Sequence, residues 1–514
     1  MPAPMHPDDP TPADGDNRAP TLTRRGTRKL ARIYLDASAP AAALEALSGL
    51  GSKSSDRETM LLRAEAMLGL GRAPEADALL GRVIIPLPSA ADTAPSLHEV
   101  AILPRWTVDT PERRMSRRDR LDLSRFLLQL RVLHRTGRYR FVVGLGRAFF
   151  STRDLAPGVL VARIASVVAQ SMLALRRPVE ARALYGNVLA LYDGLHSDEG
   201  VADTLLGMAN TLLLECRWNE ADKLYEEANS RYRRMGQLDK ALACMVNLGV
   251  LRVTRGDLAS GRALLLQALD QCTRAGDERR MSTVHLGLAL AEIRVGDFAA
   301  ARPRLLGALR RARLGNVPRD RALACRLLGL LFIHLRRFRR AHLVLAAGLS
   351  IAREIAPDGD LCFEILRTQA ELALTERRMR EARRLAEESQ ALSLAYGDMC
   401  EAAAAERTFA ECDAAEGHIE TALGRIRSAR SLLGRLGETY ERARLALLEL
   451  RLEAKRQGMS VDQVREGLQD VRRAFHGHPR APILREARGV LAAVRRSLLA
   501  RTAAPGTTRL AIPR

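Results

Sequence analysis

The residue types that most often perform catalysis or bind metal ions occur in this sequence without the spacing that such sites need. The chain has ten histidines and seven cysteines, and the cysteines are scattered without a Cys-x-x-Cys pair. His476 and His478 form the one tight histidine pair, in a predicted loop with no third ligand nearby. The phosphate-binding pattern GxxxxGKS/T and the motifs GxSxG and HExxH are absent. The sequence therefore predicts a non-enzymatic protein without a metal ion or a cofactor.

Arginine is the other residue type here that could do chemistry, because its guanidinium group binds carboxylates and phosphates through paired hydrogen bonds. From Arg302 to Arg340 the sequence contains twelve arginines and one acidic residue, Asp320. Such a concentration favours an acidic partner or phosphates, although arginines in solvated loops give the same composition. No aromatic residue interleaves with the last four of these arginines except Phe338, which weighs against single-stranded nucleic acid.

The elements that position these residues are predicted to be helices. The 514 residues are 47% hydrophobic and rich in Ala, Leu and Arg, a mixture that favours helix and can form a large core. The net charge of +21 favours an acidic partner. No run of 18 apolar residues and no signal peptide is found, and the odd, scattered cysteines indicate a reducing compartment, so we expect a cytoplasmic protein with no membrane span.

An internal repeat is the strongest feature of the sequence. A small or modest apolar residue recurs every 39 to 41 positions, and a second column of small residues lies twelve positions before it. Small residues allow two helices to cross closely, and a Gly or polar residue between the columns marks the turn from one helix to the next. The recurring residues are Val142, Ala181, Ala221, Gly261, Ala301, Ala341, Ala382 and Ala422.

The repeat resembles the tetratricopeptide repeat (TPR). Gly249, Gly256 and Ala268 match the first-helix, turn and second-helix positions of that family, and Asn247 to Gly256 is close to its consensus. The period near 40, against about 34 in most TPRs, is similar to the arrays of bacterial regulators such as peptide-pheromone receptors. The resemblance covers roughly residues 120 to 435 and more weakly 25 to 85. It implies an all-α, right-handed α-solenoid of stacked antiparallel helix pairs.

The TPR resemblance also implies candidate binding residues. In TPR domains the first helices line a concave groove, where an Asn can hold the backbone of an extended peptide through its paired donor and acceptor. Asn210 and Asn247 fall at matching positions of two neighbouring repeats. The cations that complete the family's clamp on a C-terminal carboxylate are missing, since the corresponding residues are Leu206, Thr283 and Gly287. We therefore expect general peptide or helix binding rather than a chaperone-tail clamp; Asn247 would alternatively belong to a common Asn-Leu-Gly packing motif.

The repeat also predicts where the arginines lie. Two equivalent turns of adjacent repeats should place seven of them on one rim of the solenoid, as a basic stripe that binds an acidic partner. A second group should lie on the opposite rim. The first group, named the basic rim here, is Arg336, Arg337, Arg339, Arg340, Arg377, Arg378 and Arg380; the second is Arg310, Arg311, Arg313, Arg319 and Arg321.

The composition along the chain predicts six segments. Residues 1–22 are expected to be a disordered leader and 501–514 a tail, and the prolines of 86–120 indicate a linker or loop. Between them we predict one or two TPR-like pairs in 23–85, eight repeats in 121–435, and a degenerate repeat with capping helices in 436–500. The last amphipathic helix, near 482–500, is expected to cover the open end of the stack.

These observations lead to three functional hypotheses. The first is a TPR scaffold or adaptor that binds a protein or peptide in its concave groove. The second is a signal-sensing regulatory protein, similar to the TPR portion of bacterial transcription activators. The third, which we expect less, is nucleic-acid binding through the basic rim. The partner, the pathway and the oligomeric state are not determined by the sequence.

Overall fold

The structure is a computed structural model of the whole chain. It describes residues 27–502 except for the short gaps 29–30, 33–34, 36–39, 49, 51–56, 71, 136–137, 153–157, 176, 316, 435–439, 458–459 and 476–477 and the longer gap 81–116. The predicted leader 1–22 and nearly all of the predicted linker and tail lie outside the described residues. None of the described helices is long and apolar enough to cross a membrane.

The described part of the chain is helical and contains no strand. The helices of the N-terminal third are α1 (Pro40–Ser48), α2 (Arg57–Gly69), α3 (Ala73–Leu80), α4 (Arg117–Arg135), α5 (Tyr139–Thr152) and α6 (Val159–Ala174). The middle of the chain forms α7 (Pro178–Gly194), α8 (Asp198–Leu214), α9 (Trp218–Arg234), α10 (Leu238–Arg255), α11 (Leu258–Ala275), α12 (Glu278–Val295), α13 (Phe298–Leu314), α14 (Pro318–His334), α15 (Phe338–Ile355), α16 (Asp360–Thr375), α17 (Met379–Tyr396), α18 (Met399–Glu416) and α19 (Ile419–Leu433). The C-terminal helices are α20 (Tyr440–Gln457), α21 (Val461–Gly467), α22 (Gln469–Ala474) and α23 (Pro482–Thr502). The all-α prediction is confirmed.

The chain divides into two compact units, Met1–Ser171 and Met172–Arg514. In the first unit, α2 packs against α1 and α3, and α4 packs against α3 and α5. Small apolar cores hold these helices together, for example around Leu68 and Val132. His134 of α4 contacts Ser171 of α6 through a hydrogen bond of 2.8 Å between Nδ1 and Oγ.

The second unit is a stack of helix pairs. Each pair consists of a first and a second helix, α8 with α9, α10 with α11, and so on to α18 with α19. Each second helix also packs against the first helix of the next pair, so that no pair is buried by itself. This arrangement is the predicted solenoid of helix pairs.

The predicted columns of small residues are the crossing points of the pairs. Ala209, Ala289, Ala221 and Ala301 are fully buried, as are their counterparts in the other described pairs. At Gly249, a Cβ atom would lie 2.8 Å from Leu265, so only glycine allows α10 and α11 to approach this closely. Residues of the two predicted columns therefore lie where the two helices of a described pair meet.

The turns between the two helices of a pair share one backbone conformation. One residue of each turn has a positive φ, which the turn after α10 satisfies with Gly256 at 104°. Cys216, Arg336 and Arg377 adopt the same left-handed conformation with φ of 55°, 55° and 62°. The geometry of the turn is thus set by the repeat, and the residue in it varies.

The terminal helix does not cover an end of the stack, which differs from the prediction. Helix α23 contacts α12, in the middle of the second unit, as well as α20, α21 and α22. Its apolar residues Ile483, Ala487 and Val490 belong to one core with Leu242 of α10 and Val284 of α12. An amphipathic helix is buried wherever it finds apolar surface, and the amphipathic pattern alone does not say which surface that is.

Candidate binding surfaces on the concave face and the turn rim

The first helices of the pairs form the inner side of the second unit. Consecutive first helices contact one another from α10 through α18, whereas second helices pack chiefly against first helices. In an arc of paired helices, the members that touch along the row lie on the shorter, concave side. We use concave face for the surface of α8, α10, α12, α14, α16 and α18 that points away from the second helices.

Asn210 and Asn247 lie on α8 and α10, the first helices of two neighbouring pairs, and both are half-buried. The Oδ1 atom of Asn210 already accepts a hydrogen bond of 2.5 Å from the hydroxyl of Tyr225. Asn247 makes no side-chain hydrogen bond with the residues that the structure describes. The amide of Asn247 is therefore better placed to bind a peptide unit than that of Asn210.

The concave face of the second unit carries the chain's own C-terminal helices. Leu447 and Leu450 of α20, Phe475, and Val490 of α23 share a core with Met245 of α10 and with residues of α12. All of these side chains are at most 9% exposed. The apolar surface of α10 and α12, called the apolar seat below, is thus covered by side chains of α20, Phe475 and α23 of the same chain.

A buried ionic network fastens α20 to the other end of the concave face. One carboxylate oxygen of Glu371, on α16, accepts hydrogen bonds of 3.0 Å from Arg367, 2.8 Å from Arg407 and 2.7 Å from Arg444. Arg407 is 1% exposed and also pairs with Glu441 of α20. Burial would raise the pKa of Glu371, but the three guanidinium groups outweigh it and hold this pKa well below the usual range.

A third set of contacts lies between the apolar seat and the ionic network. Arg294, at the end of α12, donates hydrogen bonds of 2.6 Å to the backbone carbonyls of Val253 and Thr254. Its guanidinium lies 4.2 Å from the centre of the Tyr440 ring. At Gly296, a Cβ atom would stand 2.2 Å from the carbonyl oxygen of Arg480, so the C-terminal segment passes directly over this turn.

The seven arginines of the basic rim are all exposed. Arg336, Arg337, Arg377 and Arg378 lie in the turns after α14 and α16, whereas Arg339, Arg340 and Arg380 lie in the first turns of α15 and α17. Arg378 pairs with Glu376 and Glu381, so its charge is partly balanced. The other six make no ion pair with described residues, and they present positive charge to solvent.

The second group of arginines is more fully paired. Arg311 binds Glu278 at 2.7 Å, and Arg319 pairs with Asp360. Arg313, next to the end of α13, is exposed. The basic rim is therefore the stronger candidate of the two for binding an acidic partner.

Two cysteines and an aspartate that are distant in sequence meet in the second unit. Cys216 lies in the turn after α8, and Asp398 and Cys400 lie at the start of α18. The sulfur of Cys216 is 3.6 Å from Oδ1 of Asp398, and the donor atoms of all three residues lie within 4.8 Å of one another. The seven cysteines form no disulfide. The sequence analysis missed this cluster, because no local spacing connects positions 182 residues apart.

A second cluster of similar type, Asp413, Glu416 and His418, has its carboxylates occupied. Asp413 is paired with Arg383 at 2.6 Å and with Arg425 at 2.8 Å. Glu416 is paired with Arg383 at 2.7 Å. Because arginines already balance these carboxylates, this cluster offers a metal ion less than the first.

No protein-family model matches the chain, and no curated protein is similar enough to be its relative. Among solved structures, the chain is similar to a Rap protein in complex with competence and sporulation factor, at 11% identity and a TM-score of 0.50. That match covers 73% of this chain and 99% of the Rap protein.

Two further solved structures are similar with lower scores. The Rap conjugation gene regulator of the plasmid pLS20, in complex with the Phr* peptide, is 12% identical over 80% of this chain and 94% of its own, with a TM-score of 0.47. Yeast Tom70 is 11% identical over 94% of this chain and 90% of its own, with a TM-score of 0.34. At these identities the likeness concerns the fold alone. The chain has a TPR-type helical-repeat fold.

Proposed function

We propose that the protein is a non-enzymatic TPR-type adaptor that binds a helical or extended segment of a protein partner on its concave face. The observation that supports this proposal is that the chain's own C-terminal helices pack on the concave face. The concave face already holds amphipathic helices through an apolar surface on α10 and α12 and an ionic surface on α16 and α18. A face with these properties suits helix-in-groove recognition.

The part of the concave face nearest to Asn210 and Asn247 is the proposed peptide site. Both side chains are partly exposed, and an amide can bind both groups of a peptide unit. The solved complex of a Rap protein with competence and sporulation factor has a similar fold, which supports the binding of a partner as a use of such an array.

Selection of peptides from a random displayed library tests the proposal. Peptides that bind the full-length protein should lose affinity by about tenfold when Asn247 is changed to Ala, because a buried polar contact is lost. The matched control is Asn219→Ala, since Asn219 is exposed on a second helix. Failure to select any peptide, or equal binding by the Asn247→Ala variant, would contradict the proposed site.

The second candidate is a regulatory protein whose groove is closed by its own C-terminal segment. The packing of α20 and α23 in one core with α10 and α12 favours this candidate, because a partner helix that binds the same apolar surface must first displace them. Hydrogen exchange separates the two candidates. A peptide that displaces the segment increases amide exchange in α23, whereas a peptide that binds beside it leaves that exchange unchanged.

A further inference from the structure

The cluster of Cys216, Asp398 and Cys400 has a composition that points to a ligand. Thiolate sulfur and carboxylate oxygen are ligands of Zn²⁺, which prefers a tetrahedral set of four. In such a set two donor atoms lie about 3.8 Å apart, given Zn–S distances of about 2.3 Å. The 3.6 Å between the Cys216 sulfur and the Asp398 carboxylate already has this spacing, and the other separations stay within 4.8 Å.

The charges around Asp398 support the same conclusion. Its two acidic neighbours are balanced, Glu401 by Arg367 and Glu364 by Arg326. Asp398 has no such ion pair with the residues that the structure describes. A divalent cation would supply the missing positive charge. It would also replace the protons of the two thiols, which bind a metal ion as thiolates.

The local structure accounts for Asp398 only in part. Its Oδ1 atom caps α18 by accepting a hydrogen bond of 2.9 Å from the amide of Glu401, as Asp257, Asp277 and Asp297 do for their own helices. The same Oδ1 atom also accepts a hydrogen bond from the thiol of Cys216, and a bound cation would take the place of that thiol proton. The sulfur of Cys400 completes the group, within 4.8 Å of the other two donor atoms.

Cys216 is held toward the cluster by the backbone of its turn. Its φ of 55° lies in the left-handed region, where Gly256 and Gly296 stand in the equivalent turns. Arg336 and Arg377 also carry side chains at this position of their turns, so the repeat itself sets the backbone conformation of Cys216. The residue is 3% exposed, so that its sulfur faces the protein and not the solvent.

We propose that Cys216, Asp398 and Cys400 form a binding site for a thiophilic divalent cation such as Zn²⁺, with water or an external ligand as the fourth donor. The site joins the turn between α8 and α9 to the start of α18, which belong to the first and the sixth helix pair of the second unit. Metal binding there would fasten two distant parts of the array to each other.

Titration of the reduced, full-length protein with Zn²⁺ and Co²⁺ tests the site. We expect one equivalent of Zn²⁺ to bind and to raise the melting temperature. The Co²⁺ form should show a thiolate-to-cobalt charge-transfer band together with the visible bands of a tetrahedral ion. A protein that binds neither ion at micromolar concentration would overturn the proposal.

Variants identify the ligands. Cys216→Ser, Cys400→Ser and Asp398→Asn should each weaken Zn²⁺ binding by about tenfold or more. Asp398→Asn keeps the helix cap, so it changes the ligand charge without removing the local structure. Cys244→Ser, a buried cysteine outside the cluster, and His418→Ala, in the second cluster, are the matched controls and should bind as the wild type does.

Two other outcomes count against the metal site. Binding that survives all three ligand variants would place the ion elsewhere. Thiol titration that loses two reactive groups on oxidation and regains them with reductant, in a protein that binds no metal, would instead assign Cys216 and Cys400 to a disulfide pair.

Discussion

At the level of single residues, Glu371 is the carboxylate at the centre of the buried ionic network on the concave face. It is 9% exposed and is the common acceptor for three arginines from α16, α18 and α20. Buried charges are stable only when they are paired, and removal of one partner leaves the others unbalanced. This residue therefore links the stability of the array to the position of the C-terminal helices.

Replacing Glu371 by Gln should destabilise the protein by about 3 kcal/mol or more, because three guanidinium groups, of which that of Arg407 is fully buried, lose their common counter-charge. Urea unfolding followed by circular dichroism measures the loss. The control is Glu381→Gln, since Glu381 is paired with Arg378 at an exposed site and should change stability by about 0.5 kcal/mol or less. Equal losses of unfolding free energy in the two variants would show that the buried network stabilises the protein no more than an exposed ion pair does.

His334 predicts how the stability depends on pH. Its ring stacks on Phe298 at 5.4 Å, and burial lowers its pKa to about 4 from the usual 6.5. Glu371 raises this pKa to a smaller extent, and Arg444 and Arg485 lower it further. The unfolded chain therefore takes up this proton first as the pH falls. The free energy of unfolding should decrease from pH 6.5 down to about 4.

His334→Phe keeps a ring against Phe298 and removes the titration. Thermal melts over that pH range should then show a smaller loss of stability than in the wild type. Some loss should remain, because burial together with Arg311 and Arg304 also lowers the pKa of His285 to about 4. Parallel curves for the two proteins would contradict the assignment.

At the level of the elements, the crossing points decide whether a helix pair forms. Ala301 is fully buried in the core between α12 and α13, while Ala299 of the same helix is exposed. Ala301→Arg should lower the free energy of unfolding by about 2 kcal/mol or more, through overpacking and a buried charge. Ala299→Arg should leave it nearly unchanged. A thermal melt unaffected by Ala301→Arg would show that the register is wrong.

The basic rim lies on two turns and the first turns of the helices that follow them, and it is tested as a unit. Changing both Arg339 and Arg340 to Glu should weaken binding of a glutamate-rich peptide about tenfold at low salt, and less as salt rises. Arg313→Glu, at an exposed position in the second group of arginines, should have little effect. Tighter binding of random duplex DNA than of the peptide, with the same loss in the variant, would support the nucleic-acid hypothesis.

At the level of the whole molecule, the decisive feature of the second unit is the position of α20 and α23. These helices share a core with residues of α10 and α12, and α20 forms ion pairs with α16 and α18. A helical array of this kind changes its curvature by small rotations between pairs. A segment that contacts several pairs limits those rotations.

Val490→Asp tests whether the C-terminal segment closes the groove. Val490 is 6% exposed within the shared core, so a carboxylate there should release α23 and raise amide exchange over residues 482–496 at least about tenfold. Ala493→Asp, on the exposed side of the same helix, is the control. If the C-terminal segment closes the groove, the affinity for the peptide should rise in Val490→Asp and not in Ala493→Asp. An affinity that is unchanged in both variants favours the adaptor, whose groove is open without displacement of this segment.

The sequence by itself determined the fold class and the small residues at which the two helices of a pair cross. These features depend on contacts within a pair, between residues such as Ala289 and Ala301 that are close in sequence, so their spacing appears as a repeated pattern. The rim arginines are exposed because they stand in two turns or in the first turn of the helix that follows.

Only the tertiary structure decided that α23 lies on the concave face, that Glu371 meets Arg444, and that Cys216 meets Cys400. The partners in these contacts come from different repeats, 73 residues apart in the first ion pair and more than 180 in the second case. Their meeting depends on the curvature that accumulates over several pairs. That curvature is a sum of small packing angles, and no local sequence pattern records it.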